Sequence, residues 1–478
     1  MSETMQIENY IGGEWRGGAE SFSPLNPATL QPLAEVAQAA PEDVDAAVCA
    51  AHDAFSTWRH TTPYERGALL RRTAEIIDRR EQELSLAVTS EMGKTLAESL
   101  GEVRKLAQAF RFYAEEAERV FGELVPVDSN DYTSLVTYEP IGVVAAITPW
   151  NYPLELIGWK LCAALGAGAT IVVKPSEYSA LSAAMLFECL DEAGFPAGVA
   201  NLVSGKGVGP TLVSHPLVDK IAFTGSTATG NRIATSVHHA IPLSMELGGS
   251  CPMIVTEHAD LEKAAAGAAR RGFRNAGQIC IAINRIYVHR KRYDEFMRLL
   301  SAAVDALRVG DGTDPATDIG PMANEEGLAK VTAHINDALA AGATRHTAER
   351  EVPGNGYFVA PVVLGDCTPE MLVMSEESFG PIVGVTPVDS LDEAIELANR
   401  ADSGLAAYAY TEDLRETHRL SALLDYGNVA INNPDPGIMN APYGGRKGSG
   451  FGYEHGREGL RSYLQIKHTR IHHGASRA

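Results

Sequence analysis

Between residues 141 and 224, apolar β-rich runs alternate with runs of helical periodicity, and this alternation constrains the chain more than any other feature. Residues 141–148 read as strand, 154–165 as helix, 169–174 as strand, 182–193 as helix, and 199–203 and 219–224 as strands. Strands joined through helices pair in parallel, because a parallel partner is reached only by a long crossover. The expected class is therefore α/β, with a doubly wound parallel sheet. Such a sheet binds its ligand at the carboxyl ends of its strands, where loops meet helix N-termini. Three polar clusters fall at those ends: Pro149-Trp150-Asn151, Lys174-Pro175-Ser176-Glu177 and Thr224-Gly225-Ser226.

The flanks fit the same picture. Residues 7–15 read as a short hairpin turning at Gly12-Gly13. Apolar residues recur at three- and four-residue steps over 44–58 and 69–88, which predicts amphipathic helices covering the sheet. After Glu246-Leu247-Gly248-Gly249 a second strand-helix series runs over 253–288 and resumes at Tyr293, with a loop rich in Gly and Asp at 309–321. The stretch 463–468 is strand-like and is expected to pair with the exposed edge of a neighbouring subunit.

Sixty-one acidic against forty basic residues leave a net charge of −21, which argues against nucleic acid or an anionic membrane as the main partner. The start lacks a basic region followed by an apolar core, and the longest apolar stretch, 161–173, is too short to span a bilayer. Six cysteines, at 49, 162, 189, 251, 280 and 367, show no CxxC pairing, so neither a disulfide framework nor a metal site is expected. A reduced, cytoplasmic, soluble protein is the expectation.

Taken singly, the candidate residues have plain structural uses. Gly205-Lys206-Gly207-Val208-Gly209 lacks the full spacing of a dinucleotide fingerprint, and Gly225-Ser226 before Gly230 suits either a tight turn or a pyrophosphate at a helix N-terminus. Cys49, Cys162 and Cys189 lie in helical apolar patterns and are expected to be buried; Cys251 and Cys367 read as structural. Glu246, between Met245 and Leu247, is costly to bury without a partner or a function. Asn151 suits a helix N-cap.

Their order along the chain says more. Trp150-Asn151, Lys174 to Glu177, Phe223 to Ser226, Glu246 to Gly249, Gly277-Gln278-Ile279-Cys280 and Glu376 to Pro381 together resemble the aldehyde dehydrogenase superfamily over about 10–467. The stretches 146–151, 273–278 and 404–408 are most similar to the succinate-semialdehyde dehydrogenase group. The resemblance implies a split NAD(P)-binding domain (1–121 and 141–246), a catalytic domain (247–446) and a small oligomerisation arm (122–140 and 455–474) giving a homodimer or homotetramer.

It also implies roles. Cys280 attacks the aldehyde as a thiolate, Asn151 and the Cys280 backbone N–H hold the oxyanion, and Glu246 activates water to hydrolyse the thioester. Retention of Glu246 speaks against a CoA-acylating relative, and Cys280, Asn151 and Glu246 together speak against a non-catalytic one. Lys174, Ser176 and Glu177 are implied to hold the adenosine end of NAD, the acid disfavouring the 2′-phosphate of NADP without excluding it. Thr148, Pro149, Trp150, Gly207, Phe223, Thr224, Gly225, Ser226, Leu247, Glu377 and Phe379 complete the implied cofactor contacts. Tyr152, Leu156 and Trp159 share one helix face that lines the family's substrate tunnel, with Tyr443 at its mouth. Arg274 matches one of two arginines that bind a distant carboxylate; the other position is Trp159 here. A short anionic semialdehyde is expected over a neutral aliphatic or aromatic aldehyde.

Overall fold

Uninterrupted apolar runs make strands that are buried on both faces. Val143–Ile147, Thr170–Lys174, Ala200–Leu202 and Lys220–Thr224 are such strands, and only Ile147 is not fully buried. A computed structural model describes residues 5–237 and 239–474 and places these strands in one eight-stranded sheet. From Val143–Ile147 the sheet grows one way through Thr170–Lys174 and Ala200–Leu202, and the other way through Lys220–Thr224 and Leu243–Glu246, all in parallel. The direction of growth reverses between Val143–Ile147 and Lys220–Thr224. A crevice opens at such a switch point, because the two following crossovers leave on opposite faces.

A hairpin of Asn9–Ile11 and Glu14–Arg16 closes one edge, turning at Gly12 and Gly13, both at positive φ. Gly450–Phe451 closes the other edge, antiparallel to Leu243–Glu246. A second, seven-stranded sheet is parallel apart from its edge strand Thr344–Arg345 and has its own apolar core. A third sheet pairs Leu464–His472 with Tyr132–Pro140 over nine residue partners, and Tyr132–Pro140 with Glu123–Val125.

Three readings need correction. The periodicity over 69–88 belongs to two helices, Pro63–Arg79 and Glu81–Met92, broken at Arg80; both face one core, so the apolar stripe runs on through the break. Asn151 is not a helix N-cap. The helix is Pro153–Ala167, capped by Tyr152 without a side-chain bond, and the Glu102 carboxylate instead accepts from the N–H groups of Leu154 and Glu155 at 2.9 and 3.2 Å. Cys49 is only half-buried, its sulfur 4.0 Å from Asp45, whereas Cys162 and Cys189 are buried. Residues 1–4, the start of the first expected segment, lie outside the described residues. Among the described residues no helix is long and apolar enough to cross a membrane.

Candidate active site

Cys280 follows a loop of unusual backbone. Asn275 and Ala276 both have φ of 52°, and Gly277 follows at 71°. Two left-handed non-glycine residues in a row cost on the order of 1–2 kcal/mol each. Gly277 has no alternative, since a Cβ there would meet the Gly380 carbonyl oxygen at 2.0 Å. Side-chain hydrogen bonds hold the loop. The Asn275 backbone N–H donates to Glu98 at 2.8 Å, and its amide donates to the Asn151 and Gln278 carbonyls at 3.1 and 3.2 Å. The Asn151 amide also donates to the Gln278 carbonyl, at 3.0 Å, leaving one N–H for another acceptor.

Behind Asn151, the fully buried Lys94 ammonium donates to the Asn151 carbonyl at 2.8 Å and is ion-paired with buried Glu102. Breaking such a buried pair by removing one partner costs about 3–5 kcal/mol. The site therefore rests on residues far from the reactive loop.

The Cys280 sulfur lies 3.7 Å from the Tyr443 hydroxyl. Burial pushes the thiol pKa up to about 12; the Tyr443 hydroxyl opposes this, and Glu377 and Glu246 add to it. The free protein thus holds Cys280 as a thiol at neutral pH. Inactivation by iodoacetamide should then speed up about tenfold per pH unit from pH 6 to 9 without a plateau. A plateau near pH 7 rejects the protonated state.

Glu246 ends its strand, opposite Thr224 on one side and Gly450 on the other. Neither carboxylate oxygen has a hydrogen-bond partner. Burial, then the charge of Glu454, raises its pKa well above the usual carboxylate range, while Lys160 opposes. Lys160 is itself ion-paired with Glu454 and bonded to the Thr224 hydroxyl at 2.6 Å. An unpartnered carboxyl of raised pKa suits a general base awaiting water.

Two cavities meet at Cys280, and both are also lined by Asn151 and Leu156. The larger, about 390 Å³, opens at the switch point of the first sheet. Pro149, Trp150, Thr224, Gly225, Ser226, Glu246, Leu247, Glu377 and Phe379 all line it. Glu377 accepts from the Gly249 N–H at 3.1 Å, and burial raises its pKa to about 7. A Cβ at Gly248 would meet this carboxylate at 2.6 Å. Phe379, at φ 52°, packs edge-on against Trp150 with ring centroids 5.6 Å apart. Ser226 caps helix Thr227–Ser236, whose N-terminus favours a pyrophosphate.

These residues fit a dinucleotide: helix N-terminus, glycine-lined wall and inward carboxylate occur along one cleft. Other expected contacts lie outside this cavity. Lys174 ends the strand Thr170–Lys174, Ser176 and Glu177 follow it, and Lys174 and Glu177 form an ion pair at 3.4 Å. Thr148 is buried with its hydroxyl unpartnered, and Phe223 is packed in the core with its ring against Gly225. Gly207 lines a separate cavity of about 400 Å³ with Gln38, Val44 and Thr211.

The smaller cavity, about 80 Å³, brings Tyr152, Leu156, Trp159, Arg274 and Tyr443 around Cys280. Sequence reasoning missed Lys94, Lys160, Glu454, His455 and Lys330, the last of which lines the cleft. It also left Cys251 without a partner, although the Cys251 thiol reaches the Cys280 carbonyl at 3.4 Å. A signal for Lys160 was available: it is the one basic residue of helix Pro153–Ala167, whose only other charge is Glu155, and a buried lysine needs a partner.

Fold and site together fit a dinucleotide-dependent enzyme, with a cysteine where its two cavities meet. Residues 15–469 match the model of the aldehyde dehydrogenase family, and the chain belongs to that family, whose members oxidise aldehydes with NAD(P). It is 39% identical over 478 residues to rat mitochondrial succinate-semialdehyde dehydrogenase, covering 98% of this chain and 91% of the relative. It is 41% identical over 470 residues to the 3-sulfolactaldehyde dehydrogenase of Pseudomonas putida, covering 97% of each. Among solved structures, an NADP-dependent enzyme of E. coli superposes with a TM-score of 0.96 at 39% identity, over 99% of both chains.

Proposed function

We propose that this aldehyde dehydrogenase converts a short anionic aldehyde to its acid through a thioester on Cys280. The observation that carries this reading is the position of Cys280 between two cavities, a dinucleotide-shaped cleft on one side and a tunnel holding Arg274 on the other. The Cys280 thiol gives its proton to solvent, the resulting thiolate adds to the aldehyde carbon, and the oxyanion is met by the free Asn151 N–H and the Cys280 backbone N–H. NAD(P), when bound, supplies the acceptor for the hydride that this carbon gives up. Glu246 takes a proton from the water that attacks the thioester, and the acid leaves as the thiolate is restored.

Pro149, Trp150, Thr224, Gly225, Ser226, Leu247, Glu377 and Phe379 would hold the dinucleotide along the cleft, with Lys174, Ser176 and Glu177 at its adenosine end. The Glu177 carboxylate supports a preference for NAD over NADP. Leu124 and Ile466 of the arm strands, and Phe121 just before them, are more than two-thirds exposed, which supports their burial in a homodimer or homotetramer. All six cysteines are free, as suits a cytoplasmic enzyme.

Arg274 supports the anionic substrate. The Tyr152 hydroxyl, then Glu98, Glu155 and Asp435, push its pKa up, so the guanidinium remains charged in the tunnel. Arg274→Gln should lower kcat/KM for succinate semialdehyde about 10- to 100-fold, the worth of a charge-assisted hydrogen bond. Propanal should change less than about threefold. Equal losses on both aldehydes reject Arg274 as the anion site.

A further inference from the structure

Tyr443 is aimed at the nucleophile by its own loop. Its backbone N–H donates to the Glu454 carbonyl at 2.7 Å, and its carbonyl accepts from the Glu454 N–H at 2.8 Å, an isolated antiparallel bridge. The rings of Trp159 and His455 flank it, with centroids 5.5 and 5.4 Å away. The tyrosine is 3% exposed, and its hydroxyl stands 3.7 Å from the Cys280 sulfur.

A buried hydroxyl needs a partner. Neither nitrogen of His455 competes for it, nor does the Trp159 indole N–H, since all three atoms are without hydrogen bonds. Among the described residues the sulfur is the one hydrogen-bond partner of this hydroxyl. Beside a thiol, either atom can donate. A thiolate has no proton, so the bond then runs one way, from phenol to sulfur. Burial pushes the phenol pKa well above its ordinary value, so the donor keeps its proton across the neutral range.

The other groups around the sulfur do not favour an anion. Burial acts against it, and so do Glu377, from the loop before strand Ile382–Val388, and Glu246, at the end of strand Leu243–Glu246. Cys251 is held as a thiol by burial and is spent on the Cys280 carbonyl. The Tyr408 hydroxyl donates to the Ile281 carbonyl at 2.6 Å. Arg274 lines the same tunnel, yet among the described residues no cation bonds to the sulfur.

We propose that Tyr443 is a further catalytic residue, its hydroxyl donating a hydrogen bond to the Cys280 thiolate as it forms and again as it leaves the thioester. This inference rests on Cys280 as the nucleophile and adds a second group on the reacting atom. In the first step the thiol proton goes to solvent, and the phenol O–H turns onto the sulfur lone pair. In the last, the C–S bond of the hydrated adduct breaks, its electron pair stays on sulfur, and the same O–H meets it. No proton leaves the tyrosine in either step.

Two opposed effects set the size. A hydrogen bond to a charged group raises the thiolate fraction about 10- to 100-fold. It also lowers the anion's reactivity by about the square root of that factor, because nucleophilicity follows thiol basicity with a slope near one-half. The net gain in attack at neutral pH is about 3- to 10-fold.

Tyr443→Phe removes one oxygen and keeps the ring. Alkylation of Cys280 by iodoacetamide, followed by mass spectrometry, should slow about 3- to 10-fold from pH 6 to 9 with its slope against pH unchanged. Replacing Tyr443 by 3-fluorotyrosine, then by the more acidic 2,3-difluorotyrosine, strengthens the donor at nearly constant shape, so alkylation should quicken in that order. The NADH burst of Tyr443→Phe should slow by one common factor with propanal and with succinate semialdehyde, because the hydroxyl acts on the sulfur.

Alkylation of Tyr443→Phe at the wild-type rate overturns the proposal. So does a loss indifferent to phenol acidity, or one confined to a single aldehyde, the mark of a tunnel wall. Failure of the underlying reading looks different: Cys280 is then alkylated without loss of turnover, and Tyr443 loses its catalytic role with it.

Discussion

Cys280→Ala lowers aldehyde-dependent NADH formation by at least about ten-thousandfold, the scale at which covalent catalysis fails when its nucleophile is deleted. Nothing in either cavity replaces the sulfur, because the neighbouring Tyr443 hydroxyl is a far weaker nucleophile than a thiolate. The fold should persist, since Cys280 is only partly buried and the substitution removes one atom. NAD binding should persist as well, since Trp150, Ser226, Glu377 and Phe379 are untouched. Quenching of Trp150 fluorescence by added NAD measures that binding, and NADH absorbance measures turnover. Turnover within tenfold of wild type rejects Cys280 as the nucleophile; lost binding rejects the separation of cleft from sulfur.

Glu246→Gln separates the two halves of the reaction. Thioester formation precedes the work assigned to Glu246, so rapid mixing should still release one NADH per active site. Steady-state turnover should fall about 10²- to 10⁴-fold, the usual contribution of a general base. The substitution is nearly isosteric, and neither carboxylate oxygen has a hydrogen bond to lose. The sign of the pH effect follows from the raised pKa. A carboxyl held protonated by burial becomes a base only as pH rises, so wild-type deacylation should accelerate with pH. The glutamine variant should lose that acceleration. Unchanged turnover, or a burst that vanishes with turnover, removes Glu246 from deacylation.

Parallel strands were the most legible elements. The run 169–174 differs by one residue from the strand Thr170–Lys174, because a strand covered on both faces leaves an unbroken apolar stretch in the sequence. The break at Arg80 was invisible for a related reason: two helices on one core share a stripe that periodicity alone does not divide. The ordered motifs singled out Asn151, Glu246, Cys280 and Glu377, each within three residues of a glycine, a proline-aromatic turn or a polar amide that marks a loop.

Their supports carried no comparable mark. Glu454 partners Lys160 across 294 residues, and Lys94 reaches Asn151 across 57. A lone charge in a helix or loop reads as solvated until the packing brings its partner to it. His455 escaped for the same reason, since its unmet nitrogens exist only once Trp159 and Tyr443 close around it.

The Asn151 carbonyl joins two distant parts of the chain: Lys94 grips it from the loop after helix Glu81–Met92, and Asn275 from the loop before the sulfur. A homologue that keeps every letter around its cysteine but has lost this distant lysine would leave the Asn151 carbonyl one anchor short and Glu102 buried without its counter-charge.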